Sequence, residues 1–96
     1  MDSYLLNLGV SQKTLDYLNE EIPSLLFDLS FCKESVFRIV NYLKHIGIKS
    51  IDTIFRYENR IFYIDYDKIV ASFNSKNIEE VVENINSDVF ALDDVL

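Results

Sequence analysis

Residues 50–69 read SIDTIFRYENRIFYIDYDKI, the most aromatic part of the chain. The stretch admits two local structures. As a helix, Ser50 caps it, Asp52 sits in its first turn, and Ile51, Ile54 and Phe55 turn to one face. As a hairpin, IDTIFRY and RIFYIDY are strands rich in β-formers, joined by Glu58-Asn59. That turn lacks the glycine that tight hairpin turns favour. Which reading holds decides between an all-α fold and an α+β fold.

The surrounding chain points to helices. Val36, Ile39, Val40, Leu43 and Ile46 recur at helical spacing over residues 32–46, with Phe37 and Tyr42 widening the apolar face and Gly47 as a stop. Ser30 is a plausible cap for this segment. Upstream, Asp2 or Ser3 can cap a short turn that Gly9 ends. Ser11 starts a second helix whose stripe is Leu15, Leu18 and Ile22. Pro23 stops that helix and opens a short one burying Leu25, Leu26 and Leu29. Downstream, Asp65 or Asp67 can cap a helix through Phe73. Asn77 with Glu80 resembles a capping box ahead of Ile78, Val81, Val82 and Ile85. Ser87 or Asp88 caps one or two final turns with Val89, Phe90, Leu92 and Val95.

The expected fold is therefore all-α, a compact array of about six to eight short helices. The alternative is α+β, with a hairpin over residues 51–66 packed on the helices. The 96 residues, 49% hydrophobic and with two glycines and one proline, fit one domain spanning 1–96 with few turns.

Charge is unevenly spread. The net charge is −7. Residues 1–32 hold one base and five acids (−4), residues 33–60 six bases and three acids (+3), and residues 61–96 two bases and eight acids (−6). An acidic domain repels phosphate backbones, so nucleic acid is a disfavoured partner. The basic band still offers Lys33, Arg38, Lys44, Lys49, Arg56 and Arg60 to an anionic partner. The plainer alternative is solvated surface charge.

Catalytic equipment is absent from the pattern. His45 is the only histidine and Cys32 the only cysteine. They share no motif, and triads and metal pairs need companions at defined spacing. His45 reads as a surface or structural residue near a helix end, and Cys32 as a small buried apolar one. Asp65 and Asp67 could touch a divalent cation, but helix capping explains them better. Glu79, Glu80 and Glu83 read as a solvated helix face. With no P-loop, dinucleotide fingerprint or nucleophile elbow, neither an enzyme nor a bound cofactor or metal is expected. A single cysteine suits a reducing compartment. No apolar run is long enough to span a membrane, and the first residues lack a secretory signal's basic start and apolar core. The expected location is the cytoplasm.

Three segments share a rhythm of a stripe followed by an apolar cluster. They are Leu15–Leu18–Ile22 before Leu25, Leu26 and Leu29; Ile51–Ile54–Phe55 before Ile61, Phe62 and Ile64; and Ile78–Val81–Ile85 before Val89, Phe90 and Leu92. The spacings, 36 residues from Leu15 to Ile51 and 27 from Ile51 to Ile78, make the repeat degenerate. NLGVS (Asn7–Ser11), IPSLLF (Ile22–Phe27) and YLKHIGI (Tyr42–Ile48) resemble pieces of the helical repeats of mitochondrial transcription termination factors. That resemblance covers most of the chain and implies a right-handed superhelix of α and short 3₁₀ helices. In that family a basic concave face grips duplex nucleic acid. The family's marker proline occurs here only as Pro23, with Asn59 and Ser87 in the comparable later places.

Functionally, the aromatic stretch is the leading candidate. Arg56, Tyr57, Arg60 and Tyr63 form a set of the kind that anchors interfaces. The plainer alternative is that alternate members of the stretch pack in the core. The expected function is a non-enzymatic interaction or regulatory module that binds another protein, or a second copy of itself. One alternative is a nucleic-acid-associated factor using Lys33, Arg38, Lys44 and Lys49 together with Arg56 and Arg60. Another is an acidic mimic of nucleic acid that uses the C-terminal carboxylates.

Overall fold

In residues 51–62 the side chains that leave solvent are Ile51, Ile54, Phe55, Glu58, Ile61 and Phe62. Their spacing of three and four is helical. In a strand, Ile54 and Phe55 would face opposite sides, yet both are fully buried in one core. The computed structural model, which describes residues 4–96, accordingly has α5 at Ile51–Tyr57 and a 3₁₀ helix, η1, at Asn59–Tyr63. This overturns the hairpin alternative. Phe55 and Phe62 stack with ring centroids 4.2 Å apart, folding η1 back on α5.

The remaining elements are α1 (Tyr4–Asn7), α2 (Gln12–Glu21), α3 (Pro23–Leu29), α4 (Lys33–His45), α6 (Tyr66–Asn74), α7 (Ile78–Ser87) and a second 3₁₀ helix, η2 (Val89–Asp94). The fold is all-α, with no strand among the described residues. None of the described helices is long and apolar enough to cross a membrane. Helix α4 packs against α5, η1 and α6, while α2 packs on α3 and α5, and η2 on α5 and α7. Buried side chains from all nine elements join one apolar cluster, with Val36, Ile39, Val40 and Leu43 of α4 fully enclosed.

Two connections are built alike. Gly9 and Gly47 both have φ +105°. Val10 N–H donates to Leu5 O at 3.1 Å and Gly9 N–H to Leu6 O at 3.2 Å; Ile48 and Gly47 repeat the pattern to Leu43 and Lys44. These paired bonds are Schellman caps, which satisfy carbonyls that a helix end leaves open. Each connection is also fastened from a distant helix. Asp52 on α5 accepts the Ser11 N–H at 2.7 Å. Asn86 on α7 accepts the Lys49 N–H at 2.9 Å and donates to Gly47 O at 3.0 Å.

The caps follow the sequence in part. Ser11 and Asn77 accept the N–H of Thr14 and Glu80, and Asp88 that of Phe90. Ser30 ends α3 rather than opening α4, and its hydroxyl donates to Phe27 O. Cys32, half-buried, takes the N-cap position of α4. Ser50 and Asp65 occupy N-cap positions without a side-chain bond. Phe37 does not widen the buried face of α4; it lies outside it and is exposed. The expected cap at Asp2 or Ser3 lies outside the described residues.

Candidate interaction surface

Helices α2 and α5 run against one another through a polar joint. Thr14, fully buried, donates its hydroxyl to Asp52 Oδ2 at 3.0 Å and accepts from Arg56 Nη2 at 2.7 Å. This joint fixes Arg56 so that its guanidinium lies 5.4 Å from the Tyr17 ring centroid and 6.0 Å from that of Tyr57. The Tyr57 ring in turn sits 6.5 Å from Tyr17 and 5.9 Å from Phe90. Three elements distinct in sequence, α2, α5 and η2, thus bring three aromatic rings into one chain of contacts, with the Arg56 cation beside Tyr17 and Tyr57 and Phe90 on the far side of Tyr57. Tyr57 remains 50% exposed and Phe90 54% exposed, an amount of aromatic surface that suits contact with a partner.

Of the four residues expected at a partner surface, the structure joins Arg56 and Tyr57 directly. Arg60 pairs with Asp93 at 2.6 Å and stands 3.7 Å from Glu58, which links it to η2, the element that carries Phe90. Tyr63 serves another contact: its hydroxyl donates to Asp28 Oδ2 of α3 at 2.8 Å. Desolvation, with the Asp28 carboxylate adding to it, pushes the Tyr63 phenol up to about 12 and keeps it a donor.

Two members of the surface went unmarked in the sequence. Tyr17 stands off the Leu15–Leu18–Ile22 stripe, which was a usable signal of exposure. Phe90 lies within an apolar cluster, and only the packing of η2 on α5 and α7 turns it outward. A further exposed pair, Phe27 and Phe31 at the end of α3, meets edge to face at 5.0 Å.

The basic band divides. Lys33, Arg38 and Lys44 lie on α4, and Lys49 in the connection that follows. Arg56 and Arg60 are committed to the contacts above. The Lys33 ammonium is 5.4 Å from the Tyr4 ring centroid. Arg38, Lys44 and Lys49 have no ion pair among the described residues. Glu79, Glu80 and Glu83 are exposed on α7.

Burial, and then the nearby Asp28, raises the Cys32 thiol pKa, and the thiol points at the Asp28 carbonyl at 3.5 Å. No three His, Cys, Asp or Glu side chains among the described residues converge to hold a metal ion. No family model, curated protein or solved structure matches the chain.

Proposed function

We propose that this chain is a non-enzymatic module that binds another protein through the surface centred on Tyr57. The observation that carries the reading is that Tyr57 joins Tyr17 and Phe90 in one aromatic patch, with Arg56 beside Tyr17 and Tyr57. Tyrosine and arginine are the residue types that most often anchor interfaces. Arg56 is already held by Thr14, so the surface is preorganised and loses little freedom on docking. Asp16 and Glu20 are exposed on α2, the helix that carries Tyr17, so the partner's rim on that side is basic.

The scaffold reads as degenerate helical repeats. In support, the glycine caps at Gly9 and Gly47 share their hydrogen bonds, and each cap is fastened from the following unit, by Asp52 and by Asn86. The presence of two short 3₁₀ helices, η1 and η2, among the α-helices is a feature that the resemblance to mitochondrial transcription termination factors implies.

A second reading is contact with nucleic acid through α4. It rests on Arg38, Lys44 and Lys49, which carry no carboxylate partner among the described residues.

Affinity capture from host lysate separates the two. A protein retained by the wild type, lost from the Tyr57→Ala/Phe90→Ala variant and indifferent to nuclease supports the interaction surface. Capture that persists in that variant and collapses with nuclease rejects it in favour of α4.

A further inference from the structure

A shallow, open cleft of about 430 Å³ lies along α4 beside the start of α6, lined by Phe37, Arg38, Asn41, Tyr42, His45 and Tyr66. It shares no residue with the Tyr57 surface. Its volume falls within the roughly 300–1,000 Å³ typical of small-molecule sites. The chain carries sixteen acidic residues against nine basic, yet no carboxylate lines this cleft. The guanidinium of Arg38 rests 4.1 Å from the Tyr66 ring centroid. Stacking fixes its position and leaves its N–H edge unbonded, because Arg38 makes no hydrogen bond or ion pair among the described residues.

Phe37, Arg38, Asn41 and His45 follow one another at helical spacing along one face of α4. The Phe37 ring is 54% exposed and offers a stacking face. Asn41 and His45, both exposed, add polar groups with no hydrogen bond among the described residues. An oriented arginine matches the paired oxygens of a phosphate. The anion belongs at Arg38 rather than at the carbonyl end of α4, where the helix dipole opposes negative charge.

We propose that this cleft binds an aromatic phosphate of nucleoside monophosphate size. Arg38 holds the phosphate, Phe37 stacks on the ring, and Asn41 and His45 hydrogen-bond to the ring's polar edge. The same chemistry is presented by a free nucleotide and by the 5′-phosphorylated end of a single strand.

The test is a two-dimensional ¹H–¹⁵N NMR titration of the full chain with AMP, with adenosine and inorganic phosphate as part-ligands. AMP is expected to shift resonances of residues 37–45 and Tyr66 at lower concentration than either part. Arg38→Ala should weaken AMP binding by roughly tenfold or more, as loss of a charged hydrogen-bond partner does. Phe37→Ala and Asn41→Ala, at exposed positions, should weaken it while leaving the spectrum's dispersion intact. These two variants keep the test open if Arg38→Ala unfolds. No localised shift with millimolar AMP overturns the proposal. So does AMP binding that none of the three variants weakens, or adenosine binding equal to that of AMP. In a second arm, a 5′-phosphorylated single strand competes with bound AMP. Displacement from the same residues supports the proposal with the strand end as ligand; AMP that stays bound supports it with the free nucleotide.

Discussion

The Asp52 carboxylate, on α5, closes the start of α2 by accepting both the backbone N–H of Ser11 at 2.7 Å and its hydroxyl at 3.1 Å. Ser11 Oγ meanwhile accepts the Thr14 N–H at 3.1 Å. One carboxylate therefore satisfies an end of another helix forty-one residues away in sequence. Its second oxygen also takes the buried Thr14 hydroxyl.

Asp52→Ala should accordingly destabilise the fold by about 1–3 kcal/mol, the cost of leaving the buried Thr14 hydroxyl without its acceptor. Asp52→Asn should cost less, since its amide oxygen can still accept one of these bonds. Urea unfolding with an unchanged m value checks both. An alanine variant as stable as wild type would show that the joint contributes nothing.

The same joint bears on binding experiments. Arg56 both underlies Tyr57 and donates to Thr14, so Arg56→Ala should lower stability as well as partner affinity. Tyr57→Ala removes a half-exposed ring and should lower affinity by about 2 kcal/mol, the scale of an interface hot spot, with little change in melting temperature. Calorimetric titration against the captured partner, beside a thermal melt of each variant, separates the two effects.

Glu58 gives the fold a pH dependence near neutrality. The side chain is only 6% exposed. Burial, followed by the hydrogen bond and charge of Asp93, raises its carboxyl from 4.5 to about 7, against a smaller opposing pull from Arg60. The folded state thus holds a proton that the unfolded chain releases. The resulting stability is fully present below pH 4.5 and is lost as pH rises through 7. The loss amounts to at most about 3 kcal/mol. Glu58→Gln, a permanently neutral analogue, should flatten this slope between pH 5 and 8 in urea titrations. A slope that survives the substitution would place its source elsewhere.

The two glycine caps should differ in their tolerance of alanine. Both positions have positive φ, so either substitution should cost about 1 kcal/mol or more in backbone strain. At Gly47 an added Cβ also meets Val82 Cγ1 at 3.4 Å, whereas at Gly9 the nearest atom is the mobile Lys44 Nζ at 3.8 Å. Thermal melts should therefore rank Gly47→Ala below Gly9→Ala.

Tyr42 offers a test in the opposite direction. Its hydroxyl is buried and has no hydrogen-bond partner among the described residues, and burial, with Tyr66 nearby, raises its pKa. Its ring packs edge to face against Tyr66 and Phe73 at 6.0 and 5.9 Å. Tyr42→Phe keeps the ring and removes an unsatisfied polar group, so stability should hold or rise by about 1 kcal/mol. A clear loss in the urea midpoint would reveal a bond made by that hydroxyl in solution.

What the sequence alone determined was periodic. The α4 stripe, the Gly47 stop, the Ser11 and Asn77 caps and the break at Pro23 are local effects of side-chain spacing and backbone freedom, and the chain states them directly. Residues 51–62 were readable both ways because β-branched and aromatic residues satisfy strand propensity and helical spacing together. The tertiary structure decided that case: one core takes up Ile54 and Phe55 at once, which adjacent strand residues cannot do. It also decided the candidate surface. Asp52 looked like a residue of its own helix's first turn, and Phe90 like part of an apolar cluster. Only the packing of α2 and η2 on α5 sets Asp52 beneath Ser11 and Phe90 beside Tyr57, because contacts between residues so far apart in sequence follow from which faces find a common core.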